Sequence, residues 1–544
     1  MNGRARRTVN SDSLSAVSDQ FGLRGMGMGF NPYIQPNKKS GALASEGMIS
    51  SAKCFAARRS LISWMSLALI AALIFSAPCF AQQPKPWEQI PTPPLNAFHP
   101  QQPQRIELKN GIVIFLEEDH ELPFVYGSVS IPGGSHDVAP AKAGLIGLYK
   151  QAWRTSGTAK LDGDTLDSQL EAKAAHIETE GDEDSTAISW DSLKADSDQV
   201  LSLAMDLLFH PKFSAEKLQL AQQRQATAIV RRNDDEGEIA ARESAKLVYG
   251  ADSPYTRQPE LATIAAVTIK DLQAWHDRTL KGKLIVAVSG DFDPAAMEAK
   301  LRAVFEPLPA VTVEPPLHES FAETKPGLYF INKDDVNQSN VQIVGLGLDR
   351  HAPDLASVAV LNEILGGGFA SRLFQHIRTR QALAYAVGGG FGFDYDHPGI
   401  FDVEVLTKSA STVDAIQSAR TEIANLVSTP FTDEELTRAK NNILNSFLFR
   451  YDTKAKILAE RERLEFYGYP ADFLETYRAA LEKVTVADVT AAAKKYVHTG
   501  AIAILVVGKG AEIQPPLDKL GFGPAKTIDI AIPGARAAAG ASDH

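Results

Sequence analysis

Pro211-Lys-Phe213-Ser-Ala-Glu-Lys-Leu218-Gln-Leu-Ala221 returns later in the chain as Pro430-Phe431-Thr-Asp-Glu-Glu-Leu436-Thr-Arg-Ala439, an offset of 218 between the phenylalanines. A second match lies well away from the first. Val267-Thr-Ile-Lys-Asp-Leu272, a helical stretch and the strand-like Leu284-Ile-Val-Ala-Val-Ser-Gly290 come back as Val484-Thr-Val-Ala-Asp-Val489, a helical stretch and Ile502-Ala-Ile-Leu-Val-Val-Gly508, at offsets of 217 and 218. Two distant matches at one spacing mean that a single supersecondary unit has been used twice. Each copy opens a helix at a Ser, Thr or Asp cap, and Thr432 with Glu435 spells a capping box.

The repeated unit mixes strands and helices. Arg105–Lys109, the turn pair Asn110-Gly111 and Ile112–Leu116 predict a β-hairpin, with Phe124–Ile131 as a third strand. Helical periodicity follows at about 142–155 and 163–174. Alternating strands at His176–Glu180 and Ser185–Trp190 flank the acidic turn Gly181-Asp-Glu-Asp184. Helices then fill about 194–208 and 214–233, Leu284–Ser289 reads as a buried strand, and Pro294–Val304 closes the unit. The expected fold is α+β: two homologous domains, at 101–308 and 328–544, each an antiparallel-rich sheet covered by helices on one face. The linker between them, 309–327, is marked by its prolines, and a tail begins at about residue 511.

Charge and cysteine position separate the leading segment from the rest. Residues 1–81 hold nine basic and three acidic side chains, so of the net charge of -11 the remainder carries about -17. That balance argues against nucleic acid as a partner. Lys53, Arg58 and Arg59 precede the apolar run Trp64–Phe75 and the ending Ser-Ala-Pro-Cys-Phe-Ala81, which together form a secretory signal over 48–81. Cleavage after Ala81 removes both cysteines, Cys54 and Cys79, and makes the protein periplasmic or extracellular. The alternative is an uncleaved membrane anchor at residues 61–80. Pro78 sits badly for a lipoprotein cysteine at 79. Residues 1–47 read as a disordered or mis-assigned extension, because Met48 is the more natural start, and 82–100 as a proline-rich lead-in.

Without cysteine in the body, a zinc site needs histidine and carboxylate. The closest of the twelve histidines, His120 and His136, are sixteen residues apart. No pair at helical spacing exists, so neither orientation of the His/Glu zinc-peptidase motif is available. Other chemistry is equally poorly supported. Gly366-Gly-Gly368 is no phosphate loop, and no Gly-x-Ser-x-Gly is present. Asp162-Gly-Asp164-Thr-Leu-Asp167 departs from a calcium loop and suits helix capping by Asp164 or Thr165. Asp394 and Asp396 lie in Phe393-Asp-Tyr-Asp-His-Pro-Gly399, which reads as turn chemistry.

The two copies, the Asn-Gly hairpin and the phrase Leu365-Gly-Gly-Gly-Phe-Ala-Ser371-Arg-Leu-Phe-Gln-His-Ile-Arg378-Thr-Arg-Gln-Ala-Leu-Ala-Tyr385 resemble the insulinase/pitrilysin zinc peptidases over about 101–510, and most of all their shorter, processing-peptidase-like branch. That family carries an inverted His-x-x-Glu-His on the helix before a Gly-Thr pair. Counted back from Gly157-Thr158, the histidine positions here hold Leu148 and Ala152, and the glutamate position holds Gln151. The third ligand is expected within Ala228–Arg232, which offers no carboxylate. The resemblance therefore implies no metal and no catalytic residues of this chain's own. It also implies a substrate-binding set, Arg378, Tyr385 and Gly366, Gly367 and Gly368, in the second domain. The expected role is a non-catalytic subunit that holds a peptide while a zinc-binding partner of similar size supplies the chemistry. A scaffold of the same fold is the alternative, and a self-sufficient hydrolase the weakest reading.

Overall fold

The computed structural model describes residues 101–312 and 321–534. The extension, the signal segment, the lead-in and part of the linker lie outside them. Among the described residues no helix is long and apolar enough to cross a membrane.

Six strands form the first sheet: β1 (Gln104–Glu107), β2 (Val113–Glu118), β3 (Phe124–Pro132), β4 (His176–Gly181), β5 (Ser185–Leu193) and β6 (Ile285–Gly290), in the order β1-β2-β6-β3-β5-β4. All neighbours are antiparallel except β2 and β6. The predicted hairpin is present. Asn110 is buried at its turn and donates through Nδ2 to the carbonyls of Phe305 and Leu308, so the turn also anchors the closing helix Pro294–Phe305.

The second sheet repeats the first. Its strands are β7 (Gly327–Asn332), β8 (Gln338–Leu346), β10 (Ala386–Phe391), β12 (Ile400–Lys408), β13 (Ala503–Gly508) and β14 (Lys526–Thr527), while β9 (Leu348–Asp349) and β11 (Phe393–Asp394) form a small pair of their own. The order β10-β12-β8-β13-β7-β14 matches the first sheet's, read from its β4 edge, over five strands; the sixth differs, because β14 comes from the tail and runs parallel to β7, whereas β1 precedes β2 and runs antiparallel to it. The parallel pair β2/β6 returns as β7/β13. Equivalent caps return too: Thr268 and Thr485 each accept from the amide three residues on, with Asp271 and Asp488 reaching back.

Helices pack on one face of each sheet as expected, but the opposite faces are covered as well. β6 and β13 are buried at all six positions and, apart from Ser289, apolar, which only a sheet covered on both sides allows. Val113, Phe115, Ile285 and Ala287 turn away from the main core and meet Leu458 of the helix Lys454–Phe466, which belongs to the second half of the chain. Reciprocally, Ile239, Ala240 and Val248 of the helix Glu236–Tyr249, from the first half, lie on Ile331, Val344, Leu505 and Val507 of the second sheet. The two halves thus exchange a helix. Polar contacts fix the exchange: Ser130 donates to Glu462 at 2.6 Å, and Glu465 takes Lys283 at 2.6 Å and Arg105 at 2.9 Å. Tyr249 donates to the Pro398 carbonyl at 2.7 Å.

One local expectation is corrected. The cap of the helix Gly163–Glu171 is Asp162, not Asp164 or Thr165: its extended backbone lets the carboxylate accept from Thr165 N–H at 2.9 Å, while Asp164 and Thr165 already lie inside the helix.

Candidate functional site

The helix Leu145–Ser156 carries the three positions at which the first half would need metal ligands and a base. It runs between two glycines with positive φ, Gly144 at 97° and Gly157 at 77°. At Gly157 a Cβ would stand 2.3 Å from the Leu161 carbonyl oxygen, so the sharp exit demands glycine. Leu148 and Ala152 have no exposed surface, nor have Tyr149 and Trp153 beside them. They sit in one apolar cluster with Ile229, the buried member of the segment in which a third ligand was sought. Zinc binds imidazole, thiolate or carboxylate. Leu148, Ala152 and Ile229 offer no donor, and the donor set here does not fit the metal.

Polar groups near this helix serve packing. Trp153 Nε1 donates to the Leu207 carbonyl at 2.9 Å, and the Tyr149 hydroxyl stands 2.8 Å from His276 Nδ1. The rings of Tyr149, Trp153 and Phe213 surround that imidazole, and burial pushes His276 down to about 4. It is a neutral core histidine. Gln151 is half-buried, and its Oε1 makes no hydrogen bond.

The corresponding surface of the second half is built the opposite way. After the helix Leu355–Leu365 the chain turns through Gly366–Gly368 against the middle of β10. A Cβ on Gly366 would lie 2.3 Å from Gly389 O, and one on Gly367 would lie 2.7 Å from the Glu363 Cα, whereas Gly368 has room for one. Two of the three glycines are therefore sterically required. Next, buried Arg372 pairs with Glu435 through two nitrogens, at 2.8 and 3.0 Å, and lies 4.7 Å above the Phe431 ring. Glu435 is also the acid of the capping box expected with Thr432, so one carboxylate joins the loop to the start of the helix Asp433–Arg450.

On that base, Phe374–Arg380 forms a wide π-helical turn rather than a regular helix, with Gln381 N–H donating to His376 O five residues back at 3.2 Å. Such turns recur at functional sites. His376 Nδ1 lies 2.7 Å from Glu422 and pins the turn to its neighbouring helix. Arg378 is exposed, stacks 4.7 Å above the Phe374 ring, and has no carboxylate partner among the described residues. Phe369 meets Phe374 edge to face at 5.0 Å and is 68% exposed. Tyr385, 53% exposed, immediately precedes β10, and its N–H donates to Leu406 O at 2.8 Å, extending that ladder by one residue. Glycine turn, Phe369, Phe374 and Arg378 thus form one chain of contacts, and the ladder holds Tyr385. The sequence reading named the glycines, Arg378 and Tyr385; it passed over Phe369, whose signal is a large aromatic within a glycine turn.

Asp394 and Asp396 also prove to be more than a local turn. They face the first half, where Asp396 lies close to His136 and Asp184.

Several known proteins are similar to this chain. Residues 266–443 match the family model described as the peptidase M16 inactive domain. A curated relative from Helicobacter pylori, "Non-peptidase homolog YmxG", is 23% identical over 405 residues, covering 73% of this chain and 91% of its own. An uncharacterized zinc protease of Streptomyces coelicolor is 23% identical over 66% of this chain and 80% of its own. Among solved structures, a peptidase M16 inactive domain from Pseudomonas fluorescens superposes with a TM-score of 0.68 at 24% identity, covering 75% of this chain and 98% of that one. A protease from Helicobacter pylori gives 0.65 at 16% identity over 75% and 100% of the two chains. With the repeated fold and the filled motif helix, these findings support an inactive, peptidase-like member of the M16 (insulinase/pitrilysin) family.

Proposed function

We propose that this protein is the non-catalytic, substrate-holding subunit of a two-chain M16 zinc peptidase acting on peptides. The observation that carries the reading is exposed Phe369 and Arg378 meeting on the Phe374 ring of a pinned turn, the guanidinium having no carboxylate partner among the described residues, with exposed Tyr385 a few residues on at the start of the β10 ladder. Exposed aromatics with a cation are what an extended peptide needs from a binding face. A guanidinium and a phenol can donate to a peptide carbonyl, and to the oxyanion that develops on attack. A chain that keeps these donors while its own motif helix lacks any metal ligand suits a division of labour. Zinc, its ligands and the glutamate base would then reside in a partner of similar size with an intact His-x-x-Glu-His. Export by the leading segment would put the pair in the periplasm or outside the cell, held at a membrane only if that segment is retained.

The reading is tested by purifying the chain together with such a partner and assaying each alone and both mixed. Co-purification, with peptide cleavage by the mixture far above either chain alone, is the expected outcome. A chain that binds peptides yet leaves the partner's rate unchanged would instead be a scaffold or peptide-binding protein of the same fold.

A further inference from the structure

The two halves meet at a second polar centre, built from three segments far apart in sequence. His136 comes from the loop after β3, Asp184 from the β4–β5 turn, and Asp396 from the loop after β11 in the second half. One ligand atom from each lies within 4.8 Å of the others, a spread that the opposite ligands of a single ion reach at about 4–5 Å. None of the three occupies position 148, 151 or 152.

Closeness of acidic groups alone would mean little, but the histidine adds an independent observation. Its side chain is nine-tenths buried, at 10% exposure. Its Nδ1 is ion-paired with Asp184 Oδ1 at 2.8 Å, and both atoms are shut off from solvent without a well-aligned hydrogen bond. Two buried donor atoms at that distance, paired but poorly aligned for a hydrogen bond, have the separation of neighbouring ligands around one cation, about 3 Å. Hydrogen bonds around the cluster orient its members from outside, as outer-shell partners do in metal centres. Tyr467 donates to the second oxygen of Asp184 at 2.5 Å, His397 Nδ1 lies 2.7 Å from Asp396 Oδ1, and the Tyr255 hydroxyl is 3.3 Å from Oδ2. His136 Nε2 is 3.7 Å from Asp137. Asp182, Glu183 and Asp394 add further negative charge around the centre.

We infer that His136, Asp184 and Asp396 bind one divalent transition-metal ion, of the Zn²⁺ or Mn²⁺ kind, that clamps the two halves of the chain together. One imidazole with two carboxylates suits these ions, whereas Ca²⁺ and Mg²⁺ prefer oxygen alone. The role is structural: the ion ties the acidic turn of the first sheet to the loop after β11, and this inference does not depend on the peptide-holding role.

The test uses the untagged full chain, stripped with a chelator and titrated calorimetrically with Zn²⁺, Mn²⁺, Ca²⁺ and Mg²⁺ separately. One Zn²⁺ or Mn²⁺ per chain is expected, raising the melting temperature. Asp396→Asn and Asp184→Asn, which keep side-chain size, should each weaken binding at least tenfold and abolish the thermal shift. Circular dichroism checks that both variants fold; should one fail to, the other carries the test, with His136→Gln as its second. Absence of binding, binding undiminished in the folded variants, or a preference for Ca²⁺ or Mg²⁺ would each overturn the assignment.

Discussion

The two halves of this chain share a topology over five strands, yet they treat the corresponding surfaces oppositely. In the first half the motif helix turns Leu148 and Ala152 wholly into the core that also holds Ile229, with Tyr149 and Trp153 packed on His276. In the second, Phe369 and Tyr385 stand in solvent with Arg378 between a ring and open water. Burying an apolar side chain stabilises a protein by about 1.5–3 kcal/mol, and leaving it exposed forgoes that. The first surface therefore serves stability, and the second has the composition of a binding face. On the proposed reading, a duplicated fold gives up chemistry in one copy and keeps recognition in the other.

The comparison breaks most visibly if the motif is put back. The triple variant Leu148→His, Gln151→Glu, Ala152→His forces larger, polar groups into a closed core. We expect it to lose about 4 kcal/mol or more in urea unfolding, and to gain no stoichiometric zinc at that helix. A stable, zinc-loaded triple variant would show that the site is merely dormant.

His276 sharpens the first half of the comparison. Its imidazole titrates near 4 in the folded protein, against 6.5 for an unperturbed histidine. Between those values the unfolded chain takes up a proton that the native one refuses. Stability is therefore fully present above pH 6.5 and declines as the pH falls towards 4, by about 3 kcal/mol in all. His276→Gln should flatten that part of the pH profile relative to the parent protein.

The glycine turn gives a smaller, paired effect. Gly366→Ala places a Cβ against the β10 backbone and should cost about 2 kcal/mol, while Gly368→Ala, with room to spare, should cost about 0.5 kcal/mol or less. Smallest of all in stability are changes to the exposed face. Phe369→Ser and Tyr385→Phe should each shift unfolding by about 0.5 kcal/mol or less, while lowering peptide affinity measured by fluorescence anisotropy.

Much of this was legible in the chain itself. The repeat implied two like units, and periodicity located the strands of the first one to within a few residues. Counting from Gly157-Thr158 points to positions 148, 151 and 152, which lie on one helix with Leu148 and Ala152 fully buried. The helix exchange was not anticipated, although Leu284–Gly290 and Ile502–Gly508 carried half of the signal, being apolar on both faces. What periodicity lacks is an address: the apolar stripe of Glu236–Tyr249 does not say which sheet it covers. The centre at His136, Asp184 and Asp396 was hidden for the same reason. Each residue sits in an ordinary polar turn, and only the meeting of the two halves brings them together.

The most direct measurement is the rate of peptide cleavage by the reconstituted pair when this chain carries Arg378→Ala. A substrate-holding role predicts a loss of about 100-fold or more, with assembly and stability of the pair unchanged. Cleavage at the parental rate would contradict it.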